Sequence, residues 1–222
     1  MMKLNDVLIG YYGCAIGSLF HGRFKYGSMT AVVGNNGSGK TTLLKTLAGI
    51  LSPISGTITF GFQGQPRIGY LAQSVKIDHQ FPITVFDVVA MGCFPVIGLL
   101  KETDYFEQKI IWKSLAAVEL TKIYHKNISS LSTGEFQRML FARLLVQRAP
   151  LILLDEPFNN IDLQTSNLIM SAVNNLHHQG CTIIAVLHDN RLILENFPNV
   201  LLLDNICNVW GTSFKVLSMK KY

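Results

Sequence analysis

Four short apolar runs, residues 30–33, 68–71, 151–154 and 182–187, stand out along the chain. They are rich in Val, Ile and Leu and contain no charged residue. Such continuous runs suit parallel strands that are covered on both faces. Polar residues follow each run: a glycine-rich loop from Gly34, then Gln73, Asp155-Glu156 and His188-Asp189. In parallel α/β sheets the ligand lies beyond the carboxyl ends of the strands. The four polar endings therefore predict one shared site.

The spacing changes between the runs. Residues 42–48 place Leu43, Leu44, Leu47 and Ala48 on one helical face, with Gly49 as the expected C-cap. From about residue 75 to 148 the pattern is mostly helical, clearest over 106–118. Strands around 4–9 and 57–60 are expected to form an antiparallel flank, and 200–204 and 209–211 two closing strands. No segment long enough for a regulatory domain is expected after them. The predicted class is α/β: a mixed, mainly parallel sheet with an antiparallel N-terminal flank and an inserted helical subdomain. The whole chain reads as one domain, with a core over about 1–75 and 149–222 and helices over about 76–148.

Composition narrows the class only slightly. A chain of 222 residues, 49% of them hydrophobic, can bury a large core. Its mean hydropathy of +0.30 raises the question of a membrane span. The most apolar stretch, 85–100, is interrupted by Asp87 and Pro95 and is too short to span comfortably. No basic N-terminal region followed by an apolar run suggests a signal peptide. Cys14, Cys93, Cys181 and Cys207 are scattered without a C-x-x-C pair, which fits free thiols in a reducing compartment. A net charge of +5 suits nucleotides, nucleic acid or an anionic membrane face without choosing among them.

The loop Gly34-Asn35-Asn36-Gly37-Ser38-Gly39-Lys40-Thr41 matches the phosphate-binding pattern G-x-x-x-x-G-K-[ST] at every fixed position. Its glycines allow the backbone to approach a phosphate closely, and successive N–H groups form an anion nest at a helix N-terminus. Lys40 can reach β- and γ-phosphates, and the Thr41 hydroxyl can ligate Mg²⁺. At the end of the third run, Asp155 is placed for a Mg²⁺ shell and Glu156 to take a proton from an attacking water. Ser132-x-x-Glu135 is a capping box that opens an amphipathic helix over 136–147.

In Leu131-Ser132-Thr133-Gly134-Glu135 the chain resembles the ATP-binding cassette ATPases, whose signature is usually written L-S-G-G-Q. Thr133 and Glu135 depart from that pattern, while Ser132 and Gly134 keep it. The resemblance covers nearly the whole chain and implies a P-loop NTPase core working on Mg-ATP. It assigns nucleotide contacts to Asn36, Gly37, Ser38, Gly39, Lys40, Thr41 and Thr42. Tyr11 resembles the aromatic residue that stacks on adenine, with Tyr12 as the competing choice. Gln73 resembles the glutamine that contacts Mg²⁺ or the attacking water, so Thr41, Gln73 and Asp155 form the implied metal set. Glu156, Gln73 and His188 form the implied catalytic set, and Asp162 resembles the D-loop aspartate. Ser132, Gly134 and Glu135 would face a nucleotide held by a second copy.

Within that family, Phe81-Pro82-Ile83-Thr84-Val85 and its surroundings over 76–89 look like manganese, zinc and iron importers. Residues 136–143 and 185–189 look like the zinc-type branch. The resemblance implies a homodimeric ATPase at the cytoplasmic face of the cell membrane. It would be attached to an integral permease and served indirectly by an extracytoplasmic metal-binding protein. Residues 85–100 would carry part of the permease contact. No nucleic-acid partner is expected. Another cargo (haem, a siderophore or an exported substrate) and a soluble, non-transport ATPase are the alternatives. His177, His178 and Cys181 flank Gly180 as at a helix C-terminus, which disfavours a metal site there.

Overall fold

Alternating burial builds the first layer. Strand β1 (Met2–Tyr11) and strand β2 (Cys14–Phe24) pair antiparallel through a hairpin. Its loop residues Tyr12 and Gly13 have φ of 49° and 82°. Two positive φ values match the twist of the flanking strands. Strands β3 (Met29–Gly34) and β4 (Ser55–Phe60) flank helix α1 (Lys40–Leu47), and β4 pairs antiparallel with β1. The antiparallel sheet thus has the order β2-β1-β4. Sequence reading anticipated β1 and β4 but missed β2, whose inward positions alternate between Phe and small residues. The computed structural model describes residues 2–61, 64–73, 81–98, 104–204 and 206–219. Part of the importer-like segment, 76–80, and residues 99–100 of the apolar stretch lie outside the described residues.

Along the rest of the chain follow β5 (Ile68–Leu71), α2 (Val85–Ala90), α3 (Phe94–Ile97), α4 (Tyr105–Ala117) and α5 (Thr133–Leu145). Then come β6 (Leu151–Asp155), α6 (Leu163–His178), β7 (Thr182–Val186), α7 (Asn190–Asn196), β8 (Asn199–Leu203), β9 (Val209–Thr212) and α8 (Ser213–Met219). The second sheet has the order β5-β6-β7-β3-β8-β9. Pairs β3–β7, β3–β8 and β6–β7 are parallel, and the closing pair β8–β9 is antiparallel. The predicted α/β class, with its mainly parallel sheet and antiparallel flank, is observed. All five residues of β6 and of β7 are buried. Helix α8 was not anticipated.

The described chain gathers into two compact units. The first comprises Met1–Tyr70, Pro150–Pro157 and Leu176–Tyr222. Its core joins Leu43, Leu44 and Leu47 of α1 to Val32, Leu153, Ile184 and Leu201 of the parallel strands. Burying each such side chain stabilises the fold by about 1.5–3 kcal/mol. The second comprises Leu71–Ala149 and Phe158–Asn175, where α2 and α4 pack on α5. There Asp87, an interruption in the apolar stretch, completes a capping box with Thr84 at the start of α2. Pro95 occupies the first turn of α3, where a missing N–H costs no hydrogen bond. Among the described residues no helix is long and apolar enough to cross a membrane.

Candidate functional site

In the first unit, the turn from β3 into α1 is built around glycine. A Cβ on Gly34 would lie 2.6 Å from Ser38 Oγ and 2.8 Å from the Leu203 carbonyl oxygen, so no larger residue fits without a shift. Gly39, at φ 94°, forms the N-cap of α1, and no side chain caps that helix. The Lys40 side chain is buried and curls over the loop, donating to the carbonyl oxygens of Gly34 at 3.0 Å and Asn35 at 2.9 Å. Among the described residues Ser38 Oγ, which is buried, has no hydrogen-bond partner. An orphaned hydroxyl, an uncapped helix start and a lysine converge on one loop. Phosphate oxygens would satisfy all three.

The loop meets the end of β6 through a carboxylate. The Thr41 hydroxyl donates to Asp155 Oδ1 at 3.2 Å, and the Tyr70 phenol to Asp155 Oδ2 at 3.3 Å. Asp155 is only 1% exposed. Burial pushes its carboxyl above the ordinary value, while the Thr41 and Tyr70 hydroxyls pull it back. Burial and the Asp155 charge push the Tyr70 phenol upward, so it stays a donor. A hydroxyl beside a carboxylate is a hard oxygen set of the kind that Mg²⁺ takes.

The parallel register then aligns two more groups. Asp155 lies opposite Val186, and the Glu156 N–H donates to the Val186 carbonyl oxygen at 3.2 Å. Glu156 holds φ 52°, an uncommon value for a non-glycine residue. Its carboxylate is largely shielded, with Oε1 2.8 Å from His188 Nε2. Of the four polar run endings expected to converge, these contacts link the loop at Thr41 to Asp155 and Glu156 to His188, while Gln73 belongs to the second compact unit. Tyr12 projects fully into solvent at the hairpin tip, whereas Tyr11 is half-buried. Tyr11 follows Ile9 by two positions, and Ile9 faces Gly39 of the loop.

The second unit holds the other group of singled-out residues. Ser132 Oγ accepts from the Glu135 N–H at 3.2 Å, and Glu135 Oε2 accepts from the Ser132 N–H at 2.8 Å. The expected capping box is thus present. The Ser132 backbone bond is the main reason the Glu135 carboxyl is held below its ordinary value. Asp162 bonds both the N–H and the hydroxyl of Thr165, at 2.9 and 2.8 Å. A Cβ on Gly134 would lie 3.0 Å from Thr165 Oγ1 and 3.2 Å from Asp162 Oδ2. Ser132, Gly134, Glu135, Arg138 and Asp162 line one cavity of about 210 Å³. Thr133 and Gln73 are exposed.

A family model described as ABC transporter matches residues 20–159. The chain belongs to the ABC transporter family. It is an ATP-hydrolysing member of that family, with the ABC-type P-loop fold. The manganese transport system ATP-binding protein MntB of Listeria innocua is 37% identical over 182 residues, 80% of this chain and 76% of its own. The zinc transport system ATP-binding protein TroB of Treponema pallidum is 37% identical over 186 residues, 82% of this chain and 70% of its own. Among solved structures, an ABC transporter assigned to the metal-chelate type, in an inward-facing conformation, superposes with a TM-score of 0.85. It is 27% identical and covers 97% of this chain and 84% of its own.

Sequence reading of this ABC ATPase missed Tyr70. A tyrosine inside a strand carries no pattern that separates packing from hydrogen bonding. His177, read as a helix-end residue, sits in the last turn of α6 with Nε2 3.0 Å from the Gly27 carbonyl oxygen.

Proposed function

We propose that this chain is the ATPase subunit of an importer that energises uptake of a transition-metal ion, zinc or manganese, through a membrane permease. The cargo reading rests on its likeness to manganese and zinc transport ATP-binding proteins over four-fifths of its length. The observation that carries the chemistry is the Glu156–His188 pair at the edge of the sheet beside the phosphate loop.

In this reading the loop holds the phosphates of ATP with Asn36, Gly37, Ser38, Gly39, Lys40, Thr41 and Thr42. Lys40 exchanges its loop carbonyls for phosphate oxygens, and Ser38 gains the acceptor it lacks. Thr41 and Asp155 would hold Mg²⁺, which when bound would neutralise charge on the β- and γ-phosphates. Glu156 accepts the proton of the attacking water. His188 steadies the Glu156 carboxylate and faces the γ-phosphate. Tyr11, on the strand face that looks toward the loop, stacks on adenine. Ser132, Gly134 and Glu135 close over the nucleotide of a second copy, and Asp162 braces the α6 start beside them. Closure completes the catalytic set and hydrolysis reopens it. The protein works as a homodimer at the cytoplasmic face of the membrane, on a permease served by an extracytoplasmic metal-binding protein.

A metal chelate as cargo is the second reading, favoured by the likeness to the metal-chelate type transporter. Reconstitution with the native membrane partner in liposomes tests both. Stimulation of ATP hydrolysis and uptake by Mn²⁺ or Zn²⁺ delivered from the extracytoplasmic side supports the first reading. Response to a chelate alone supports the second, and response to neither removes both.

A further inference from the structure

Asp155 presents its two oxygens to two different donors. Oδ1 takes the Thr41 hydroxyl at 3.2 Å and Oδ2 takes the Tyr70 phenol at 3.3 Å. The carboxylate is almost fully buried, so its rotation is set by these partners. They differ in what carries them. Thr41 stands in the first turn of α1, directly after the phosphate loop. Tyr70 stands on β5, the sheet neighbour of β6, which carries Asp155. Both partners stand on regular elements, a helix and a neighbouring strand, which hold a side chain more precisely than a loop does. Without Tyr70, one oxygen of a buried carboxylate would lack its donor, and the group would be free to turn away from Thr41.

We propose that Tyr70 is a positioning residue for the Mg²⁺ of Mg-ATP: its hydroxyl fixes Asp155 Oδ2, which aims Oδ1 at Thr41 and the metal. This inference rests on the reading of Thr41 and Asp155 as metal-holding residues. In this reading Tyr70 acts through Asp155, by the hydrogen bond from its hydroxyl to Oδ2. A phenylalanine keeps the ring and its packing and removes only the donor.

The test uses the full chain and its Tyr70→Phe variant with a fluorescent ATP analogue, titrated with Mg²⁺ and separately in EDTA. Affinity in EDTA stays within twofold of wild type. The Mg²⁺ concentration for half-maximal enhancement of binding rises about tenfold, which is about 1.4 kcal/mol. In an Asp155→Asn background the Tyr70→Phe change adds nothing. A Mg²⁺ dependence within twofold of wild type would overturn the proposal. So would equal weakening in EDTA and Mg²⁺, which marks a packing role. If wild type itself binds the analogue no better with Mg²⁺, the reading of Thr41 and Asp155 fails, and this inference falls with it.

Discussion

The Glu156 carboxylate is hydrogen-bonded to His188 at 2.8 Å although the two residues lie 32 positions apart. Register creates the contact. Asp155 pairs with Val186, so the residues just past the ends of β6 and β7 emerge together. Glu156 also holds φ 52°, a conformation that non-glycine residues keep only where the surroundings enforce it. Glu156→Gln is expected to lower turnover about 10²–10⁴-fold, the range of a lost general base. ATP affinity is retained. Phosphate release at saturating ATP, beside a nucleotide-binding titration, measures both. Turnover within threefold of wild type would remove Glu156 from the proton-transfer role.

Lys40 is placed to trade two carbonyl oxygens for phosphate. Lys40→Ala should weaken ATP binding at least about tenfold, because a charge-assisted bond in a buried setting contributes about 1.5–3 kcal/mol. Adenosine affinity should barely change. Calorimetric titration with ATP and with adenosine separates the two. Equal losses for both ligands would contradict a phosphate-specific role.

The capping box at Ser132 and Glu135 carries a pH signature. Glu135 is held below its ordinary carboxylate value, chiefly by the Ser132 backbone N–H. Its contribution is complete above about pH 4.5 and is lost as pH falls through the lower folded value. Glu135→Ala should therefore cost about 0.3–1.5 kcal/mol at neutral pH. The cost should shrink toward zero in acid. Urea denaturation of both proteins at several pH values reads it out. A cost independent of pH would contradict the charged cap.

Thr133 stands where the family signature has glycine. It is exposed at the first helical position of α5, beside the capped Ser132. Thr133→Gly should change steady-state ATPase activity less than about threefold, in line with an exposed surface position. A many-fold gain would mean that the β-branched side chain crowds the nucleotide.

The parallel strands were legible in the sequence because each is an uninterrupted apolar run buried on both faces, as at 151–154 and 182–187. The loop at 34–41 was legible because its chemistry is local: glycines, Lys40 and Thr41 are consecutive. Strand β2 escaped notice because Ser18 and Gly22 stand at inward positions while Leu19 faces out, so its sequence shows no clean apolar alternation. Helix α8 escaped it because a seven-residue segment shows too few turns for a period. The contacts Thr41–Asp155, Tyr70–Asp155 and Glu156–His188 depend on strand order, which no local pattern encodes. Asp87 and Pro95 looked like interruptions until their capping and first-turn places were visible.

In the proposed function each phosphate loop is half of a site that a second copy completes. Size-exclusion chromatography with light scattering on the Glu156→Gln chain measures it most directly. With Mg-ATP the mass should double, and adding Ser132→Arg to the same chain should abolish the doubling while leaving ATP binding intact. A mass that stays monomeric with bound ATP, or a dimer indifferent to Ser132→Arg, would contradict the claim.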